Sequence, residues 1–206
     1  MANERKGIGI LGGTFNPVHL GHLLIAQSAY EYLNLAKVLF IPCCNPPHKN
    51  MTPLLSADHR LNMVRLAIEG DLRFEVSDIE IQRGGISYAV DTVAQLHGLY
   101  PAQELDFIIG ADSLKELHLW RNIYCLLRLC RFVSFPRPGY DLASVRPEDL
   151  HLDPPWPDRL LLSVMPGPCV DISSSDIRHR VAEGMSMRYL VPSAVEMYVA
   201  EHHLYT

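Results

Sequence analysis

The 206-residue sequence predicts an α/β fold, a doubly wound and mostly parallel sheet with helices on both faces. Short, largely apolar runs such as Gly7–Leu11 (GIGIL), Val38–Ile41 and Leu105–Ile109 (LDFII) alternate with segments of helical period. The runs lack a polar face, which marks strands covered on both sides. Hydrophobic residues make up 48% and charged residues 20%, a globular balance over a length that suits one domain, 1–206. A C-terminal helical part from about 172 to 206 is expected to pack on that domain.

In chain order, Gly7–Leu11 reads as a buried strand. Leu20–Leu33 reads as a helix with Leu20, Leu23, Leu24 and Ala26 near one another and Tyr30 and Leu33 continuing the stripe. Val38–Ile41 is a strand stopped by Pro42, and Cys43–Leu55 a Pro/Asn loop. Ala57–Glu69 is a helix carrying Leu61, Val64, Leu66 and Ile68, ended by Gly70. Phe74–Ile81 reads as extended, Tyr88–Leu99 as a helix and Leu105–Ile109 as a strand. Asp112–Leu119 and Ile123–Leu129 are short helices, and Arg131–Phe135 a strand. The Pro- and Asp-rich stretch Tyr140–Asp158 reads as a long loop, Leu160–Val164 as a last strand, and Ser174–Glu183 and Ser193–His202 as terminal helices. Ligands of such sheets bind beyond the carboxyl ends of the strands, so the loops after the first, second and Leu105–Ile109 strands are the places to search.

The formal charge of −5, from 18 basic and 23 acidic residues, disfavours a nucleic-acid partner. Five cysteines without a C-x-x-C pair argue against a disulfide framework or zinc knuckle and for reduced thiols in a cytoplasmic protein. The opening MANERKGIGILGG has too short an apolar run for a signal peptide, and no run reaches membrane-spanning length. Gly7-x-Gly9-x-x-Gly12 formally matches a dinucleotide fingerprint. Its first two glycines fall inside the strand rather than in the turn after it, so that reading is rejected.

The strongest signal is Gly12-Gly13-Thr14-Phe15-Asn16-Pro17-Val18-His19-Leu20-Gly21-His22. Glycines at a strand end let backbone approach a phosphate, and the helix that follows offers N–H groups and a positive dipole end. His19 and His22, at i and i+3, share one face. Two imidazole donors there suit a phosphoryl group gaining charge. A bare H-x-x-H is more often a cap or a core pair, and no further ligand follows at helical spacing to make it a metal site. The full eleven-residue string outweighs that bland reading.

This string resembles the G-G-T/S-F-D-P-x-H-x-G-H loop of the nucleotidylyltransferase superfamily, with Asn16 where Asp is commoner. Ile172-Ser173-Ser174-Ser175-Asp176-Ile177-Arg178 resembles that superfamily's I-S-S-T/S-x-I-R segment; alone it would read as a plain capped helix. Three middle segments resemble the bacterial nicotinate mononucleotide adenylyltransferases. These are Pro46-Pro47-His48-Lys49, Arg83-Gly84-Gly85-Ile86-Ser87-Tyr88-Ala89-Val90-Asp91-Thr92 (Ala89 where Thr is usual), and Ile109-Gly110-Ala111-Asp112-Ser113-Leu114 with Trp120. Arg137-Pro138-Gly139-Tyr140 adds a fourth. The likeness runs over essentially the whole chain.

The resemblance implies a Rossmann-like fold and transfer of the adenylyl group of ATP to nicotinate mononucleotide, giving deamido-NAD and pyrophosphate. It implies His19, His22 and Arg178 as catalytic residues. Gly12, Gly13, Thr14, Phe15, Ser174 and Ser175 would join them in binding ATP. Asn16, His48, Lys49, Ser87, Tyr88, Ala89, Gly110, Asp112, Trp120 and Arg137 would bind the mononucleotide. Mg²⁺ is expected to accompany ATP, mostly on substrate and water oxygens, with no dedicated protein metal site. The nucleophile is already an anion, so positioning and charge stabilisation suffice. The partners are small molecules, not nucleic acid or membrane, in a monomer or homodimer. Rival readings are a sister transferase acting on nicotinamide mononucleotide or another phosphorylated small molecule, and a non-catalytic nucleotide sensor.

Overall fold

The computed structural model describes residues 7–47 and 54–206. His48 and Lys49, expected to bind the mononucleotide, lie outside the described residues. Five strands, β1 (Ile8–Gly13), β2 (Lys37–Pro42), β3 (Phe74–Val76), β4 (Leu105–Gly110) and β5 (Arg131–Phe135), form one sheet in the order β3-β2-β1-β4-β5. Every pairing is parallel. The chain leaves β1 in one direction to β2 and β3 and returns on its other side as β4 and β5. The carboxyl ends of β1 and β4 therefore flank the point where the winding reverses.

Both faces are apolar, as such largely apolar strands require. One carries Ile8, Ile10, Leu39, Ile41, Phe107 and Ile109 against α4 (Ala89–Leu99), α5 (Ile123–Leu129) and α6 (Trp156–Leu162). The other carries Leu11, Val38, Phe40, Ile108 and Val133 against α1 (Leu20–Tyr32) and α2 (Ala57–Ile68), with α7 (Ser174–Ala182) and α8 (Ser193–Glu201) in the same layer. The α2–α8 contact is joined by the Tyr198 hydroxyl, 2.9 Å from His59 Nδ1. Gly9 lies inside β1, where a Cβ would sit 2.8 Å from Leu35 and 3.0 Å from Ile108. Close packing, not a nucleotide turn, requires that glycine, and Gly12 and Gly13 close the same strand.

Three expected elements differ. Leu160–Val164 is not a strand: Leu160–Leu162 ends α6, and only Val164 bridges in parallel to Ser134 of β5. Leucine is a strong helix former, and Pro157 in the first turn supplies a helix start. Leu162 is left 84% exposed, which a buried strand would not tolerate. Phe74–Ile81 is extended only to Val76, because α3 (Ile79–Arg83) follows and buries Glu80. The 140–158 stretch is partly helical. Its 3₁₀ turns at Leu142–Ser144 and Pro147–Leu150 bring Val145 and Leu150 into the core, and α6 begins at Trp156. Among the described residues no helix is long and apolar enough to cross a membrane, and the five cysteines are unpaired.

Candidate active site

A cleft of about 500 Å³ opens at the carboxyl edge of the sheet, within the range of small-ligand sites. Its floor is the end of β1 and the loop Gly12–Asn16. One wall is the start of α1 and the start of α7, and the other is built from Ser87–Ala89, Gly110, Trp120 and Arg137. Of the expected site residues that are described, all but Asp112 line this one cleft. The two halves of the expected site are therefore brought together although they are up to 166 positions apart in sequence, from Gly12 to Arg178.

His19 caps α1 in an extended conformation, and His22 occupies the third helical position. The His19 backbone N–H donates to His22 Nδ1 at 3.2 Å, which leaves the proton of a neutral His22 on Nε2. The two rings lie with centroids 3.7 Å apart and tilted by 33°. A Cβ on Gly21 would stand 3.0 Å from the His19 ring, so this glycine is what lets the ring fold over the helix start. Phe15 is buried and meets His22 edge-on with centroids 5.0 Å apart. It supports the imidazole as well as lining the cleft.

His19 is only 5% exposed, and its Nδ1 is buried without a partner among the described residues. Burial first, and the Arg137 guanidinium second, depress its pKa to about 4. At neutral pH it is a neutral N–H donor and not a cation. Two protonated rings at such a separation would also repel one another.

At the other end of the wall, Ser173 caps α7 and accepts from the Asp176 N–H at 3.0 Å. Ser174 Oγ donates to the Pro17 carbonyl at 2.8 Å, and Arg178 Nη1 donates to the Asn16 carbonyl at 2.8 Å. Arg178 Nη2 also donates to Ser175 Oγ at 3.2 Å. The Ser174 hydroxyl proton is thus directed to the loop, while the residue still lines the cleft. Toward an anion the helix start presents the Arg178 charge and the early N–H groups that have no acceptor within the helix. On α1 the first of these, Leu20 N–H, is taken by the Leu190 carbonyl.

Asn16 is 1% exposed, and its Oδ1 accepts from the Tyr205 hydroxyl at 2.8 Å. Burial pushes the Tyr205 pKa up, which keeps that hydroxyl a donor. Asn16 thus shapes the loop through both its side chain and its carbonyl. Asp112 turns to Arg137, whose Nη1 donates to Oδ2 at 2.7 Å, while Oδ1 is buried without a partner among the described residues. Trp120 is held edge-on by Phe107 at 5.8 Å and Phe132 at 6.1 Å. Ser87 accepts from the Cys44 N–H at 2.9 Å and donates its own N–H to the Asn45 carbonyl at 2.8 Å, lacing its segment to the loop after β2.

The sequence reading missed three contributors. Arg121, whose guanidinium stands 4.4 Å over the Tyr88 ring, lines the cleft beside Trp120. Glu80 lines it from a buried position, accepting from Thr92 Oγ1 at 2.6 Å. Arg60 lies behind it, fully buried. Arg121 adjoins a recognised motif and was within reach. Arg60 carried no signal, because an Arg in an amphipathic helix normally faces solvent.

The profile of the Cytidylyltransferase-like family matches residues 10–180. A probable nicotinate-nucleotide adenylyltransferase of Desulfitobacterium hafniense (strain Y51) is 46% identical over 202 residues, covering 97% of this chain and 96% of that one. A protein of the same description from Symbiobacterium thermophilum is 43% identical over 198 residues, covering 96% and 94%. Among solved structures, Plasmodium falciparum nicotinic acid mononucleotide adenylyltransferase complexed with NaAD superposes with a TM-score of 0.75 at 19% identity, covering 97% of each chain. The same protein complexed with APC gives 0.76 at 18% identity. At these identities the superpositions establish the shared fold.

Proposed function

Because the chain belongs to the cytidylyltransferase-like family, we propose that it transfers the adenylyl group of ATP to nicotinate mononucleotide, forming deamido-NAD and pyrophosphate on the route to NAD. The mononucleotide phosphate oxygen forms a bond to the α-phosphorus of ATP, and the bond from that phosphorus to the oxygen of the β-phosphate breaks. The electron pair leaves with pyrophosphate, and no proton must move. Relatives at 41–46% identity described as nicotinate-nucleotide adenylyltransferases support this substrate pair.

The observation that carries the reading is the convergence in one cleft of the His19–His22 pair, the Arg178 end of α7 and the Trp120–Ala89 wall. The first two would take the triphosphate and the third the pyridine nucleotide. His19, as a neutral donor, and His22 would stabilise charge developing on the α-phosphoryl oxygens. Arg178 and the α7 start would hold the departing pyrophosphate. Trp120 would stack on the pyridine ring, and Arg137, drawn from Asp112, would meet the mononucleotide phosphate. Phe15 and Asn16 would act by shaping the loop.

ATP would arrive as its Mg²⁺ complex. Phosphate and water oxygens would supply most of its ligands. The unpaired cysteines suit a cytoplasmic reaction.

The test is pyrophosphate release by purified protein given ATP, Mg²⁺ and nicotinate mononucleotide, with phosphopantetheine as the control acceptor. Release with the former alone is expected. Release only with another acceptor indicates a sister transferase, and silence with every acceptor indicates a sensor.

A further inference from the structure

Arg60 of α2 is 0% exposed and has no carboxylate within ion-pair distance among the described residues. A guanidinium cannot shed its charge, and a buried charge is costly unless fully hydrogen-bonded. Its donors go to backbone carbonyls. Nε donates to Leu55 at 3.1 Å, Nη1 to Thr14 at 2.9 Å and Nη2 to Cys44 at 2.9 Å. Nη1 also lies 3.7 Å from Cys43 Sγ.

These acceptors sit on three separate stretches of chain. Thr14 follows the end of β1, five residues before His19. Cys44 follows β2 at the root of the Pro46–Pro47 loop, and its N–H is pinned from the other side by Ser87. Leu55 leads into α2. The guanidinium is a rigid planar fork, so the separation and the tilt of the Thr14 and Cys44 carbonyls are set by its dimensions. Stability alone does not call for this arrangement, because an apolar side chain of similar volume commonly serves a buried site as well or better.

We propose that Arg60 is a positioning residue that fixes the spacing between the Thr14 loop, which leads to the donor-binding His19–His22 pair, and the Cys44 segment, to which Ser87 of the acceptor wall is laced. The proposal rests on the reading above that one cleft takes both substrates. Each substrate would bind chiefly to its own side of the cleft, the donor at the α1 and α7 starts and the acceptor on the Ser87–Trp120 wall. Only their mutual distance and alignment depend on the strut between the loops, and a displacement of about 1 Å can cost ~10²-fold in rate.

The experiment compares wild type with Arg60→Lys, which keeps the charge and loses the fork, and Arg60→Met, which loses both. Circular dichroism and thermal unfolding establish that each variant is folded. Titration calorimetry gives the Kd of Mg²⁺-ATP and of nicotinate mononucleotide separately, and steady-state assays give kcat. The expected result in a folded Arg60→Lys protein is each Kd within about tenfold of wild type and kcat lower by ~10²-fold. A folded variant with kcat within a few-fold of wild type overturns the proposal. So does a loss confined to the binding of one substrate, or failure of both variants to fold, which makes the guanidinium a core element only. Wild-type activity on a different phosphorylated acceptor overturns the substrate reading instead, and Arg60 is then judged on that acceptor. A wild type that turns over no acceptor overturns both.

Discussion

The depressed pKa of His19 makes stability depend on pH in a direction that a substitution can isolate. In the unfolded chain this imidazole takes a proton near its ordinary value of 6.5, and in the folded protein only near 4. Between those values the unfolded state binds more protons, so stability falls as pH falls. The contribution is complete above pH 6.5 and is lost progressively down to pH 4. A separation of about 2.5 units is worth at most roughly 3 kcal/mol, of which about 2 kcal/mol is gone by pH 5. The variant His19→Gln removes the titration. Denaturant unfolding of both proteins at pH 8 and pH 5 gives a double difference in which the other ionisations cancel. Wild type should lose about 2 kcal/mol more than the variant between the two pH values. Equal losses would refute a neutral, buried His19 and with it the assignment of an uncharged donor to the site.

Two further outcomes follow from the same geometry. His22→Ala removes a donor whose ring is fixed by the His19 N–H and by Phe15; kcat should fall by ~10²–10³-fold while the Kd of ATP, measured by calorimetry, stays near wild type. Trp120→Ala should raise the Kd of the pyridine nucleotide and spare that of ATP, because Trp120 stands on the wall away from the α1 and α7 starts; an equal rise in both would make Trp120 a packing residue.

What the sequence made legible was what local pattern encodes. Short apolar stretches identified β1 and β2, and also β4 and β5 despite the polar Asp106, Arg131 and Ser134, and two motifs located the β1–α1 loop and the α7 start. Leu160–Val164 was misread because a short leucine run fits a buried strand and a buried helix equally. The choice fell to Pro157 and to which leucines found a core.

At the site, residue type marked which side chains reach the cleft but not how their polar atoms are spent. Ser174 has a hydroxyl in the right motif, yet its proton binds Pro17. Asp112 follows the end of β4, yet its carboxylate meets Arg137. Asn16 lines the cleft and is also joined to Tyr205, 189 positions away. Such pairings are set by tertiary approach, which no local spacing records. Arg60 is the clearest case, since only burial against three carbonyls separates it from an ordinary helix-surface arginine.

The central claim is a single direct displacement, with the acceptor phosphate as nucleophile and the protein supplying position and charge. Stereochemistry at the α-phosphorus tests it most directly, using ATP made chiral there by sulfur substitution and reading the configuration of the dinucleotide formed. One in-line displacement predicts inversion. Retention would require two successive displacements through an adenylylated protein side chain and would contradict the account.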